Sequence, residues 1–410
     1  MRIACVGGGP AGHYFAILMK GRDPAHDITV FERNPPGVTY GWGVVFWDDL
    51  LEQLQASDSA TASVIRSNSF RWNGQLLAVE GKQPVHLGGH GYGIGRQRVL
   101  NILVERATRL GVRVMFETEI ENADRLREAD LIVACDGVNS RLRQLGRQQF
   151  QTDVVVGRNK YVWLGTTRVF DAFTFAFVPT EAGWIWCHAY GFDRSTSTFI
   201  VECSPETWTG LGFDSLADAD SIRLLETLFE QHLEGHPLST HPRSQGGAPW
   251  LNFRTVTNEK WHVDNMVLMG DAAHTTHFTI GSGMRLALED AISLAARLRE
   301  ETNLPAGLER YEMERRTALS RTQAEARLSA QWFESVPRYI DLDPPQVFAL
   351  LLERRSPFLP RVPPRTYYRL YRATQGNAAL RKLRKWVAPA VKGLYSRASA
   401  MRAKRKRLSL

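Results

Sequence analysis

The chain has 410 residues, 43% of them hydrophobic, with 51 Lys and Arg against 43 Asp and Glu. This is an ordinary soluble globular composition, long enough for two or three domains with a large buried core. No stretch approaches the roughly 18 apolar residues of a membrane span, and the apolar start "RIACV" runs into glycines instead of a cleavage site. A cytoplasmic protein without a membrane partner is therefore expected.

The first 34 residues, "MRIACVGGGPAGHYFAILMKGRDPAHDITVFERN", read as strand, glycine turn, helix and second strand. Gly7, Gly9 and Gly12 have GxGxxG spacing, with Pro10 and Ala11 between the last two. Glycine permits the tight turn, lets backbone approach a pyrophosphate and allows close helix–strand packing, while the helix N-terminus attracts phosphate charge. Glu32, 20 residues after Gly12 and followed by Arg33, is placed to accept hydrogen bonds from an adenosine ribose. The order of these parts predicts a bound dinucleotide.

Next, "GWGVV" sets Gly41 and Gly43 around Trp42 and before Val44, which predicts a mobile backbone segment beside the cofactor. Further on, "GIGRQRVLNILVERATRLGV" places Arg96 at the head of a helix, and "ADLIVACDGVNSRLR" is an apolar strand delivering Asp136 and Gly137 to a loop. Residues 161–254 show period-two patterns. Phe173, Phe175 and Phe177 share one strand face, and Trp184, Trp186, His188 and Tyr190 another.

The segment "NMVLMGDAAHTTHFTIGSGMRLALEDA" is a second apolar strand, delivering Gly270 and Asp271. Gly281, Ser282 and Gly283 then precede a helix whose apolar face includes Met284, Leu288, Ala291, Ala295 and Leu298. His274 and His277 lack a third ligand at metal spacing, so no metal is expected. His274 is read as a packed structural residue and His277 as a candidate for the substrate site. Cys5, Cys135, Cys187 and Cys203 lie in apolar stretches without CxxC pairing and are expected to be reduced core thiols.

Charge is segregated. Residues 361–410 hold 15 Lys or Arg and no acidic residue, leaving a net of −7 on the remainder. Leu380, Leu383, Val387, Val391 and Leu394 recur there at roughly helical spacing, interrupted by Pro389. Such a block suits an anionic ligand, although it also fits a solvated helix with a basic end. No nucleic-acid partner is expected.

The three glycine- and aspartate-bearing segments together resemble the fingerprints of the flavin-dependent aromatic hydroxylases with the para-hydroxybenzoate hydroxylase fold. The resemblance implies an α/β architecture: a Rossmann-like FAD-binding domain, an inserted mainly antiparallel substrate sheet and C-terminal helices. The expected division is 1–75, 95–160 and 255–330 for the discontinuous FAD domain, 76–94 and 161–254 for the substrate domain, and 331–410 for the helical region with its basic tail. It also implies FAD contacts at Gly7, Gly9, Pro10, Ala11, Gly12, Glu32, Arg33, Gly43, Val44, Arg96, Asp136, Gly137, Gly270, Asp271, Gly281, Ser282, Gly283 and Met284. His188, Tyr190 and His277 become the candidates for catalytic proton handling.

Over nearly the whole chain, "TYGWGVVFWDDLLEQL", "GRNKYVWLGTTRVFDAFTFAF" and "WIWCHAYGFDRSTSTFIVEC" look like the branch containing salicylyl-CoA 5-hydroxylase and anthraniloyl-CoA monooxygenase. The same segments also resemble the violacein-pathway hydroxylases more than the average member of the family. The similarity implies ring hydroxylation through a flavin C4a-hydroperoxide, with NADH or NADPH as transient reductant and O2 as co-substrate. An aromatic small molecule on CoA or a carrier protein is the implied substrate, salicyloyl-CoA first. An indolic or other natural-product intermediate remains an alternative, as do a flavin-dependent reductase, a flavin-free dehydrogenase and a non-catalytic binding protein.

Overall fold

A computed structural model describes residues 1–39, 41–240 and 250–376, so the basic block is described only as far as the helix Pro364–Gly376, and its helical spacing from Leu380 to Leu394 lies outside the described residues. Two sheets organise the chain. The first has six strands in the order His262–Val263, Met266–Leu268, Leu131–Ala134, Arg2–Val6, Asp27–Phe31, Arg113–Met115. Its central strand Arg2–Val6 pairs in parallel with both Asp27–Phe31 and Leu131–Ala134. Being covered on both faces, these strands are apolar throughout instead of alternating: Leu131–Ala134 is buried at every position.

The helices Pro10–Arg22, Gly283–Glu300 and Leu304–Phe333 share one core with this sheet, joined by Leu286, Leu288, Ala291 and Leu294. Burying one such leucine fully contributes about 1.5–3 kcal/mol. The first of these helices starts at Pro10, whose fixed φ suits the first helical position.

The second sheet has nine strands and is mostly antiparallel. Its order is Leu238–Ser239, Thr152–Thr166, Ser197–Cys203, Gly183–Gly191, Phe173–Thr180, Phe70–Val79, Val85–Gly95, Gly43–Phe46, with Leu251–Asn258 also pairing Thr152–Thr166. It therefore takes in Gly43–Phe46 and all of Phe70–Val79, stretches that the expected division gave wholly or in part to the FAD domain. Glycines in "GGHGYGIG" would ordinarily weaken a strand, but close approach demands them here. A Cβ at Gly91 would stand 2.1 Å from Trp72, and one at Gly93 2.2 Å from the Gly191 carbonyl.

The period-two faces appear as cross-strand pairs, Trp186 opposite Phe177 and His188 opposite Phe175. At one end this aromatic face packs against Trp332 and Phe333 of the long helix. At the other end it lines a cavity. All four cysteines are buried and unpaired, and among the described residues no helix is long and apolar enough to cross a membrane.

Candidate active site

One cavity of about 1390 Å³ runs between the two sheets. Its first end is built from the glycine turn. Gly7 has φ +114°, and a Cβ there would lie 2.3 Å from the Cys135 carbonyl; one at Gly12 would lie 2.3 Å from the Gly7 carbonyl. Close packing demands glycine at both positions, and Gly7 also lines the cavity. A Cβ at Gly9, Gly137 or Gly283 would meet nothing within 4 Å, and all three line the cavity. The helix Pro10–Arg22 opens at Gly9 without a side-chain cap, so its first N–H groups are available to an anion.

Glu32 ends the second strand. One carboxylate oxygen accepts from the Gly8 N–H at 2.8 Å, and the other from the Asn34 backbone and side chain at 2.8 and 2.6 Å. The oxygen that accepts from Gly8 retains a lone pair for a further donor. Arg33 also borders the cavity.

The middle of the cavity is made by three loops. Asp136 Oδ2 accepts from the Arg141 N–H at 2.7 Å, while Oδ1 is buried without a partner. Arg96, at the helix start Arg96–Arg109, also lines the cavity, and its Nε is buried without a partner. Asp271 opens into the cavity and is enclosed by protein elsewhere. Burial pushes its carboxyl up, while Arg96, His274 and Arg143 pull the other way. Arg143 was not foreseen from the sequence, yet it ties these loops together. It donates to the carbonyls of Val138 at 2.5 Å, Asp271 at 3.4 Å and Ala272 at 2.9 Å.

Beneath this loop lies a buried ion network. His274 Nε2 is 2.8 Å from Asp290, which accepts from the Gly270 N–H at 3.0 Å and from Arg315 Nε at 2.7 Å. His274 stacks on Trp261 at 5.0 Å. The network fixes Gly270 and Asp271 from behind, and His274 does not touch the cavity. Gly281, Ser282, Gly283 and Met284 border it at the head of the helix Gly283–Glu300, and that helix too has no side-chain cap.

The far end is aromatic, walled by Phe173, Phe175, Tyr161, Trp163 and Phe278. His188 lines it and is 3.1 Å from the buried Glu202, which also accepts from Asn159 and Trp186. Burial alone would raise the Glu202 carboxyl, but the His188 hydrogen bond and charge, with His277 and Asn159, hold it below its ordinary value. Tyr190 also reaches the cavity, with its hydroxyl donated to the Gly43 carbonyl at 2.9 Å. His277 stands behind Phe278 instead of on the cavity wall, 3.0 Å from Thr279 Oγ1, stacked on Phe278 and tilted against Phe253. Gly43 and Val44 border the cavity from within a strand.

Arg354 and Arg355, also unforeseen, complete this end. Their sequence signal is slight: two adjacent arginines after Glu353, the residue that ends the apolar helix Pro344–Leu352. The donor set fits FAD: two uncapped helix starts and Arg96 for phosphates, acceptors on Glu32 and Asp271 for sugar hydroxyls, and cavity-facing glycines where a side chain would obstruct.

The model of the FAD binding domain family matches residues 1–326. The chain is similar to salicyloyl-CoA 5-hydroxylase of a Streptomyces species, 37% identical over 367 residues that cover 87% of this chain and 70% of that protein. It is 30% identical to protodeoxyviolaceinate monooxygenase of Chromobacterium violaceum over 380 residues, 88% of this chain and 96% of the other. A crystal structure of 2-methyl-3-hydroxypyridine-5-carboxylic acid oxygenase shares the fold, with TM-score 0.67 at 19% identity over 88% of this chain and 97% of that one. With its cradle, aromatic end and relatives in agreement, the chain belongs to the FAD binding domain family and is a flavin-dependent aromatic monooxygenase, using FAD with NADH or NADPH as reductant.

Proposed function

We propose that this monooxygenase hydroxylates an aromatic acyl thioester, with salicyloyl-CoA at its 5-position as the specific substrate. The observation that carries the proposal is the unbroken cavity from glycine cradle to aromatic wall, which puts ring and cofactor in one enclosure. Similarity to the Streptomyces salicyloyl-CoA 5-hydroxylase supports the thioester. FAD, when bound, supplies the electron transfer and oxygen activation that side chains lack.

The chain's own residues do the rest. Phe173, Phe175 and Phe278 orient the ring and exclude water from it. His188 lies on the cavity wall with the buried Glu202 behind it, and the pair can hold a proton released from the ring, a contribution typically of about 10²- to 10⁴-fold. Tyr190 positions the Gly43 backbone beside the cofactor.

The test is product mass spectrometry of the FAD-loaded protein with NADH or NADPH, offered salicyloyl-CoA, a salicyl carrier-protein thioester, free salicylate and indolic compounds. Oxygen-dependent formation of the 5-hydroxylated thioester is expected, with substrate-stimulated NAD(P)H oxidation. Hydroxylation confined to indolic compounds would replace this proposal with the second one, which the near end-to-end match to the violacein-pathway relative favours. Product formation without oxygen would make the protein a reductase.

A further inference from the structure

Arg354 is a cation on the wall of the aromatic end whose partners are all neutral. Its Nε donates to Ser329 Oγ at 3.0 Å, Nη1 to the Leu351 carbonyl at 2.8 Å and Nη2 to the Thr279 carbonyl at 3.0 Å. The guanidinium lies 5.9 Å from the centre of the Phe175 ring, a weak additional attraction. Among the described residues no carboxylate pairs with it. The charge that acts on it is Arg355, of the same sign, which is itself 3.6 Å from Glu325. Burial, and secondarily Arg355, push its pKa down to about 9.

The other arginines at or beneath the cavity differ. Arg315 is paired with Asp290 at 2.7 Å and Glu289 at 3.1 Å, and Arg143 and Arg96 both feel the charge of Asp271. Half-buried on the cavity wall, Arg354 is a partly desolvated cation without a counter-charge, which is costly, and a guanidinium has five N–H groups, of which three are used here. The two that remain sit one on each terminal nitrogen, a fork suited to a pair of adjacent oxygens. Phe175 also packs edge-on against His188 at 5.5 Å, so Arg354 and the His188–Glu202 pair contact the same aromatic side chain.

We propose that Arg354 is the specificity-determining residue of this site, receiving the ionised phenol of an ortho-hydroxy aromatic acyl group together with its neighbouring carbonyl oxygen. The proposal rests on the aromatic end being the ring site. The phenol's O–H bond breaks with its proton passing to bulk solvent, and the phenolate left behind is the missing counter-charge; it makes the ring more electron-rich at the para position, where the oxygen atom is added. An aromatic acyl group without the ortho hydroxyl would leave the cation unpaired and bind less well.

The experiment uses the FAD-loaded full chain with two thioester-free probes, salicylamide and benzamide, whose dissociation constants are read by calorimetry. Wild type should favour salicylamide by about tenfold or more, the scale of one charge-assisted hydrogen bond, and the bound probe should absorb as its phenolate. Arg354→Met should abolish the preference and the phenolate absorption while benzamide affinity and FAD content hold. Arg354→Lys, retaining charge without the fork, should recover part of the preference. Ser329→Ala, removing one brace but not the charge, should keep it. The proposal is overturned if Arg354→Met retains the preference, if both probes weaken equally, if Ser329→Ala loses the preference as fully as Arg354→Met, or if wild type does not discriminate. Because neither probe is a thioester, failure here leaves the thioester proposal standing, and failure of salicyloyl-CoA turnover leaves this one standing.

Discussion

The Tyr190 hydroxyl donates to the Gly43 carbonyl at 2.9 Å, so a strand of the substrate sheet holds the backbone that borders the cofactor cradle. Thr198 secures the other side of the same residue, accepting from the Gly43 N–H at 2.8 Å. The "GWG" segment, expected to be mobile, thus ends in a paired strand at Gly43, where a Cβ would lie 2.5 Å from the Phe192 ring. Tyr190→Phe should cost about 0.5–1.5 kcal/mol of stability and slow flavin reduction by NAD(P)H while FAD content holds. Gly43→Val should lower folded yield as well, through overlap with Phe192. Thermal unfolding and stopped-flow reduction separate the two; wild-type values for both in Tyr190→Phe would remove Tyr190 from the positioning machinery.

Cofactor-facing and packing glycines should separate cleanly. Nothing lies within 4 Å of a Cβ at Gly9, so Gly9→Val should fold normally and lose FAD. Gly12→Val meets the Gly7 carbonyl at 2.3 Å and should lose the fold itself. Asp271→Ala should lose more FAD than Asp271→Asn, because asparagine keeps a hydrogen-bond acceptor; the lost bond is worth about 1.5–3 kcal/mol where one partner is charged. Flavin absorbance per chain and circular dichroism of the apo forms check all four variants. Full occupancy in Asp271→Ala would refute the assignment of that loop.

The Asp290 network predicts an acid-sensitive fold. Burial would raise the Asp290 carboxyl, yet the charge and hydrogen bond of His274, with those of Arg315, hold it below its ordinary value of 3.8. The folded state then binds a proton more weakly than the unfolded chain. Its stabilisation is complete above 3.8 and drains away as pH falls through the lower folded value. Asp290→Asn should remove this contribution and leave Arg315 short of a partner, costing about 3–5 kcal/mol at neutral pH and less in acid. Urea unfolding across that range measures it.

Local signals were legible in the sequence and distant ones were not. The turn at Gly7, Gly9 and Gly12, its helix and Glu32 are contiguous, so their geometry follows from neighbouring residues. Arg143 is different, since its role depends on the carbonyls of Asp271 and Ala272, 128 and 129 residues away. Arg354 likewise acquires its setting from Thr279, 75 residues distant. The strand Val85–Gly95 escaped a propensity argument because its glycines answer to Trp72 and Gly191 across the sheet. His277 lies close in sequence to the cavity-lining Phe278, but the ring stack turns it behind that wall.

His188 and His277 should therefore behave differently. His188→Phe strands the Glu202 carboxylate among neutral donors, so Glu202 should titrate upward and the protein should lose about 3–5 kcal/mol, least at acid pH where Glu202 is protonated. His188→Gln keeps a donor for Glu202 but cannot titrate, so it should preserve more stability while still altering the pH dependence of product formed per NAD(P)H oxidised. His277 is pushed down to about 4, chiefly by burial, and stays neutral in the fold where the unfolded chain titrates near 6.5. It therefore lowers stability as pH falls from 6.5 toward 4, because protons favour the unfolded chain there. His277→Phe should flatten that decline and cost about 0.5–1.5 kcal/mol at neutral pH through the lost Thr279 bond. Its coupling should match wild type across about pH 5 to 8, the range in which an unperturbed histidine would show itself. If His277→Phe uncouples the reaction and His188→Gln does not, proton handling passes through the Phe278 wall instead of the His188–Glu202 pair.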